Sequence, residues 1–240
     1  MKWWRFAVIA GILAAGLNSR AIHAQSDQAA AVAEVRKAVA AARKDIEGHK
    51  TAGKAGATDH PALKWDAALW AYRARYPRSE AAALASAEAV RLLVRAELWD
   101  RAHARIASLD FDDPAWERMA APIYEEGIAR QDLPYTIDTL SRAAASTPNP
   151  ASRSSILVVL GRAYRRVGDN AAATRSLEAA TSAAPGTPYA EEADGLLYEI
   201  KYLSVGLPAP PVSGKARNGR TIDLAALRGR PVVLVFWGTT

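Results

Sequence analysis

A chain of 240 residues has room for one large domain or two small ones, and with 50% hydrophobic and 23% charged residues it has enough apolar surface to bury a core, which excludes a disordered composition. The net charge of +6 is front-loaded: Lys2, Arg5 and Arg20 precede any acid, the rest is close to balanced, and no basic block with interleaved aromatics occurs, so nucleic acid is not an expected partner. Cysteine is absent, which excludes disulfide staples, and the abundance of alanine points to closely packed helices.

Residues 1–24 read as an export signal. "MKWWR" is a positive start, "FAVIAGILAAGL" from Phe6 to Leu17 is a short apolar run, and Ala24 offers a small residue for cleavage. A spanning helix needs about 20 apolar residues, so no stable membrane anchor is expected once the signal is removed. No cysteine follows the run, which excludes a lipoprotein anchor.

Val32, Val35, Val39, Ala42 and Ile46 recur at helical spacing, and they predict an amphipathic helix over 25–47 that Gly48 ends. "GHKTAGKAGATDHP" then reads as a flexible loop. Gly48, Gly53 and Lys54 fit part of a phosphate-binding loop, but Ala55 stands where a Ser or Thr should hold magnesium, and the preceding segment is helical rather than a strand. Nucleotide binding is not assigned.

From Pro61 onward prolines recur every 34 to 37 residues, at Pro77, Pro114, Pro148 and Pro185, each after an alanine-rich helical segment. In the clearest unit, "LVVLGRAYRRVGDNAAATRSLEAATSAAP", small Gly161 and Ala173 let two helices touch, Tyr164 and Leu177 fill the space beside them, and Pro185 ends the second helix. With Leu157, Leu160, Gly168 and Ala180, this unit resembles the tetratricopeptide (TPR) pattern of paired helices. Trp65, Leu69 and Tyr72 fall at equivalent points of an earlier unit, as do Trp99, Ala102, Ile106 and Leu109, and Ile137, Leu140 and Ala143. Gly195 and Tyr198 repeat Gly161 and Tyr164, which predicts a closing helix over 190–203.

Other motifs have structural readings. Asp113 before Pro114 in "DFDDP" reads as a helix cap rather than a calcium loop. His23, His49, His60 and His103 lack ligand spacing, and neither G-x-S-x-G nor H-E-x-x-H occurs. No metal, cofactor or serine-type catalysis is expected.

At Ser204 the helical pattern stops in the connector "SVGLPAPPV". "VSGKARNGRTIDL" reads as two short strands turning at Asn218 and Gly219, "AALRGR" as a turn, and Val232 to Trp237 as a strand covered on both faces. Gly206, Ala209, Pro210, Gly219, Leu224, Leu227, Gly229, Pro231, Phe236, Trp237 and Thr239 together resemble the opening of the thioredoxin-like family, in its redoxin or TlpA-type branch exported by bacteria. Arg230, Gly238 and Thr240 depart mildly from that pattern.

The resemblance implies a periplasmic thiol–disulfide oxidoreductase. Its nucleophilic cysteine would follow Thr240, on a helix start that lowers the thiol pKa, with Phe236, Trp237, Gly238, Thr239 and Thr240 flanking the active site. The chain holds no cysteine, so as written it is expected to be inactive and its redox domain incomplete. The expected fold is mainly α: a signal at 1–24, a helix and loop at 25–60, a TPR-like repeat domain at 61–203, and the first strands of a thioredoxin-like α/β domain at 204–240. The expected partner is a protein, as a disulfide substrate or as a ligand of the repeats; a non-catalytic TPR-type adaptor is the alternative function.

Overall fold

The structure, a computed structural model, describes residues 4–51 and 60–235, with side chains placed for 25–49 and 60–235. The described residues form nine α-helices and a two-stranded sheet, divided into compact units Met1–Asp194 and Gly195–Thr240. The helices are α1 (Trp4–Thr51), α2 (Pro61–Arg75), α3 (Glu80–Arg95), α4 (Trp99–Ala107), α5 (Trp116–Arg130), α6 (Leu133–Ser146), α7 (Pro150–Arg166), α8 (Asn170–Ala183) and α9 (Pro188–Tyr202). The expected mainly helical class is therefore found.

Local chemistry sets most helix starts. Ser79, Asp132, Asn149 and Asp169 each accept from a backbone N–H three residues on, at 2.8–3.1 Å, and so satisfy one of the free donors at the tips of α3, α6, α7 and α8. His60 does the same for α2 through Nδ1, 3.1 Å from the Ala62 amide. Proline sits in the first turn of α2, α6 and α7, where its missing N–H costs nothing. Asp113 accepts from the Ala115 amide at 2.8 Å and caps the turn that leads into α5, as "DFDDP" predicts, although the helix proper begins at Trp116.

α1 corrects one expectation. It runs on through Gly48 to Thr51 and is continuous with the stretch read as a signal, so neither residue 25 nor Gly48 breaks it. A helical glycine costs only about 1 kcal/mol relative to alanine, and the side of Gly48 is open space. The packed face of Val35, Val39, Ala42 and Ile46 decides the outcome. Gly53, Lys54 and Ala55, with most of the expected loop, lie outside the described residues.

The helices α1 to α8 pack in an overlapping series: α1 on α2 and α3, α2 on α3, α3 on α4 and α5, α5 on α6 and α7, α6 on α7, and α7 on α8. α3 is the hinge of this arrangement because alanine allows it to be covered on both sides. Ala85, Ala89 and Leu92 join Val35 and Leu69 in one apolar cluster, while Val90, Leu93 and Val94 join Trp116, Ile123, Leu140 and Ile156 in another. At Gly161 an added Cβ would lie 2.7 Å from the Leu177 Cγ, so the close approach of α7 and α8 requires glycine there.

Acids, one buried and one exposed, tie helices together. Asp66 on α2, wholly buried, accepts from Arg101 at 3.0 Å and from Arg105 at 2.8 Å, both on α4. Glu34 on α1 accepts from the Tyr72 and Tyr76 hydroxyls and from Arg75 at 3.0–3.2 Å, pinning α1 to α2.

In the second unit, β1 (Ser213–Lys215) pairs antiparallel with β2 (Thr221–Asp223), Gly214 opposite Ile222. Gly219 takes the left-handed φ of +79° that the turn needs, and the Ala216 amide bonds the Arg220 carbonyl at 2.8 Å. A 3-10 turn, Leu224–Leu227, follows. The strand expected at Val232 is not there: Val232 to Val235 have no strand partner and are exposed by 41–86%. An apolar strand needs neighbours on its edges and cover on its faces, and among the described residues β1 and β2 pair only with each other.

Candidate functional site

Four helices of the first unit converge on a cleft of about 250 Å³. Leu84, Ala87, Ala121 and Val158 give it an apolar floor, and Glu88, Arg91, Glu117, Arg118, Arg162, Tyr189 and Glu192 line its polar rim. α3 supplies Glu88 and Arg91, α5 supplies Glu117 and Arg118, α7 supplies Arg162, and the first turn of α9 supplies Tyr189 and Glu192.

The rim is a set of paired charges. Arg91 Nε donates to Glu125 at 3.0 Å and its Nη1 reaches Glu88, which also takes Arg43 at 2.8 Å. Arg118 pairs with Glu80 at 2.9 Å and Arg162 with Glu192 at 2.7 Å. The Tyr189 hydroxyl donates to Glu117 Oε1 at 3.0 Å, and the Ser155 hydroxyl donates to the Glu117 carbonyl at 2.7 Å. No cysteine or histidine lines the cleft. It offers apolar side chains on the floor and paired polar groups at the rim.

Burial, and then the Glu117 carboxylate beside it, push the Tyr189 phenol up to about 12. A folded-state pKa above the ordinary value of about 10 means the contribution to stability is complete below pH 10 and is lost as pH rises through 12. In an alkaline titration followed by tyrosine ring NMR, Tyr189 is expected to ionise well above the ordinary tyrosine range. Glu117→Gln should move it back toward 10. An unchanged midpoint in that variant would rule out the carboxylate as a cause.

The residues read from the sequence as flanking an active site, Phe236, Trp237, Gly238, Thr239 and Thr240, lie outside the described residues. The repeat positions are placed: Leu69, Ala102, Ile106, Leu109, Leu140, Ala143, Leu177 and Ala180 are buried, and Trp65, Tyr72, Trp99, Ile137 and Tyr164 half-buried. α9 forms where the closing helix was expected, but Tyr198 is 50% exposed and the side of Gly195 is open, unlike Tyr164 and Gly161. Sequence reading missed the cleft rim, whose charges looked like ordinary solvated surface. A signal was present nonetheless: the rim pairs Arg91–Glu125 and Glu80–Arg118 are separated by 34 and 38 residues, close to the proline spacing.

Among the described residues no group of three or more His, Cys, Asp or Glu side chains could hold a metal ion, and no helix is long and apolar enough to cross a membrane. No protein-family model, no curated protein and no solved structure matches the chain.

Proposed function

We propose that this chain is the partner-binding helical part of an exported, periplasmic thiol–disulfide oxidoreductase of the thioredoxin-like (redoxin or TlpA-type) family, with TPR-like repeats presenting a protein substrate to the redox domain. The spaced pattern of residues 206–239 carries the redox half of this reading, and the β1–β2 hairpin turning at Asn218 and Gly219, where the pattern puts a turn, supports it. The cleft across α3, α5, α7 and α9 supports the binding half.

In the mechanism this implies, a cysteine following Thr240 attacks a substrate disulfide as the thiolate, and a second cysteine one helical turn later resolves the mixed disulfide. The protein disulfide is reduced and the enzyme dithiol oxidised. With no cysteine of its own, the chain as written is expected to leave insulin disulfides intact. The coding sequence past the Thr240 codon is expected to read into C-x-x-C, and the product to reduce insulin in a manner abolished by changing the first cysteine to serine. A stop codon directly after Thr240 would favour the second reading, a non-catalytic adaptor, which the paired-charge cleft supports.

A further inference from the structure

α4 is anomalous. It has 9 residues, whereas α2, α6 and α8 have 15, 14 and 14. The turns it lacks are replaced by the loop 108–115, and beside that loop a cavity of about 380 Å³ opens between α4 and α6, within the size range of small-molecule sites. Its lining is chemically mixed: two aromatic pairs and a short polar edge.

The first aromatic pair is Phe111 and Trp116, stacked with ring centroids 5.6 Å apart at 26°. Trp116 is held by its Nε1, which donates to the Asp110 carbonyl at 3.0 Å. The second pair is His103 and Tyr135, with centroids 4.5 Å apart. His103 is fixed from behind, because its Nε2 is taken by Glu126, a wholly buried carboxylate that also accepts from Arg130 at 3.3 Å. Each wall therefore presents one oriented ring, Phe111 backed by the buried Trp116 and Tyr135 packed against His103, which favours a flat aromatic guest.

The polar edge comes from Thr139 and Arg142, which sit three residues apart on α6 and so share a face. Thr139 is 7% exposed, and its hydroxyl, whose polar neighbour is the Tyr135 phenol, makes no close hydrogen bond, an arrangement that buried hydroxyls ordinarily avoid. Among the described residues Arg142 has one ion pair, with Asp138 at 2.8 Å, through side chains that are each 65% exposed. Such an exposed pair holds weakly and can be redirected. One group satisfies both members of this edge: a carboxylate, accepting from the Thr139 hydroxyl with one oxygen and from the guanidinium with the other.

We propose that the cavity between α4 and α6 binds small aromatic carboxylates, the ring lying against Phe111, Trp116 and Tyr135 and the carboxylate bridging Thr139 and Arg142. The same chemistry occurs in a free aromatic acid and at the C-terminus of a peptide ending in phenylalanine.

The test is a backbone-amide NMR titration of the chain with 3-phenylpropionate, and with phenethylamine, which carries a similar ring and tether but the opposite charge. The acid is expected to bind saturably, shifting Tyr135, Thr139 and Arg142, and to bind about tenfold more tightly than the amine. Arg142→Met should weaken the acid about tenfold and leave the amine unchanged, and Thr139→Ser should retain binding. Ala107, exposed at the cavity lining, provides an occlusion variant that does not touch the core: Ala107→Phe should abolish binding with the melting temperature intact. A peptide ending in phenylalanine should bind more weakly once its carboxylate is amidated, and tighter binding by the free-acid peptide than by 3-phenylpropionate would identify protein C-termini as the source. Equal binding of acid and amine, absence of saturation with both the acid and the peptide, or an unaffected Arg142→Met variant would overturn the proposal.

Discussion

Gly127→Ala is expected to lower stability by about 2 kcal/mol and the melting temperature by about 4–8 °C. Gly127 lies in α5, where alanine is ordinarily the better helix former by about 1 kcal/mol. Here the added Cβ would fall 1.9 Å from Thr136 Oγ1 and 3.1 Å from its Cβ, with the Asp132 carbonyl at 3.3 Å behind. Thr136 is wholly buried and its hydroxyl donates to the Ile123 carbonyl, so turning it away also breaks a buried hydrogen bond, a loss of about 1 kcal/mol. The crowding term and the lost bond together outweigh the gain in propensity. Gly195→Ala is the control: that position is also helical but faces open space, so the same substitution there should be neutral or stabilising by up to about 1 kcal/mol. Urea unfolding of Gly127→Ala, Thr136→Ala and the double variant closes a cycle in which the two changes should not add. Additivity would show that Thr136 is not what excludes the methyl group.

The same physics explains what could be read from the letters. Caps and first-turn prolines are local, so Ser79, Asp132, Asn149 and Asp169 announce their helices from a few neighbouring residues. Gly161 and Leu177 could be paired because one repeat supplies both sides of the contact. Gly127 and Thr136 are also close in sequence, but neither type is diagnostic outside a recognised pattern.

The length of α4 was hidden because its end depends on the loop 108–115, whose Asp113 caps a turn and also pairs with Arg73 of α2. The rim of the cleft was hidden for another reason: Glu117, Arg162 and Tyr189 are far apart in the chain and meet only when α5, α7 and α9 are in place. The segment from Val232 shows the opposite failure. Its β-branched, apolar letters state a strand clearly, but a strand is a relation between segments, and Val232 to Val235 have no partner among the described residues.

Trp116→Ala is expected to have the largest effect of any single truncation, about 3–5 kcal/mol, lowering the melting temperature by about 6–20 °C. Trp116 is 2% exposed and packs in the cluster that joins α3, α4, α5, α6 and α7, so its removal leaves a void within that shared centre. Two further losses are specific to tryptophan. Its Nε1 is the donor that holds the Asp110 carbonyl at 3.0 Å, and its ring is the surface on which Phe111, 38% exposed, is stacked. Trp116→Phe separates these terms: it keeps a ring in the cluster and forfeits the donor, for an expected cost of about 1–2 kcal/mol. Both variants should become more sensitive to proteolysis within 108–115, because that loop loses its anchor in each, while the global loss is large only for alanine. If Trp116→Ala unfolded within about 1 kcal/mol of the parent at an unchanged denaturant slope, the cluster would be relaxing to fill the space. The helices would then be held by their ion pairs and by the close contacts at Gly127 and Gly161, and not by a shared apolar centre.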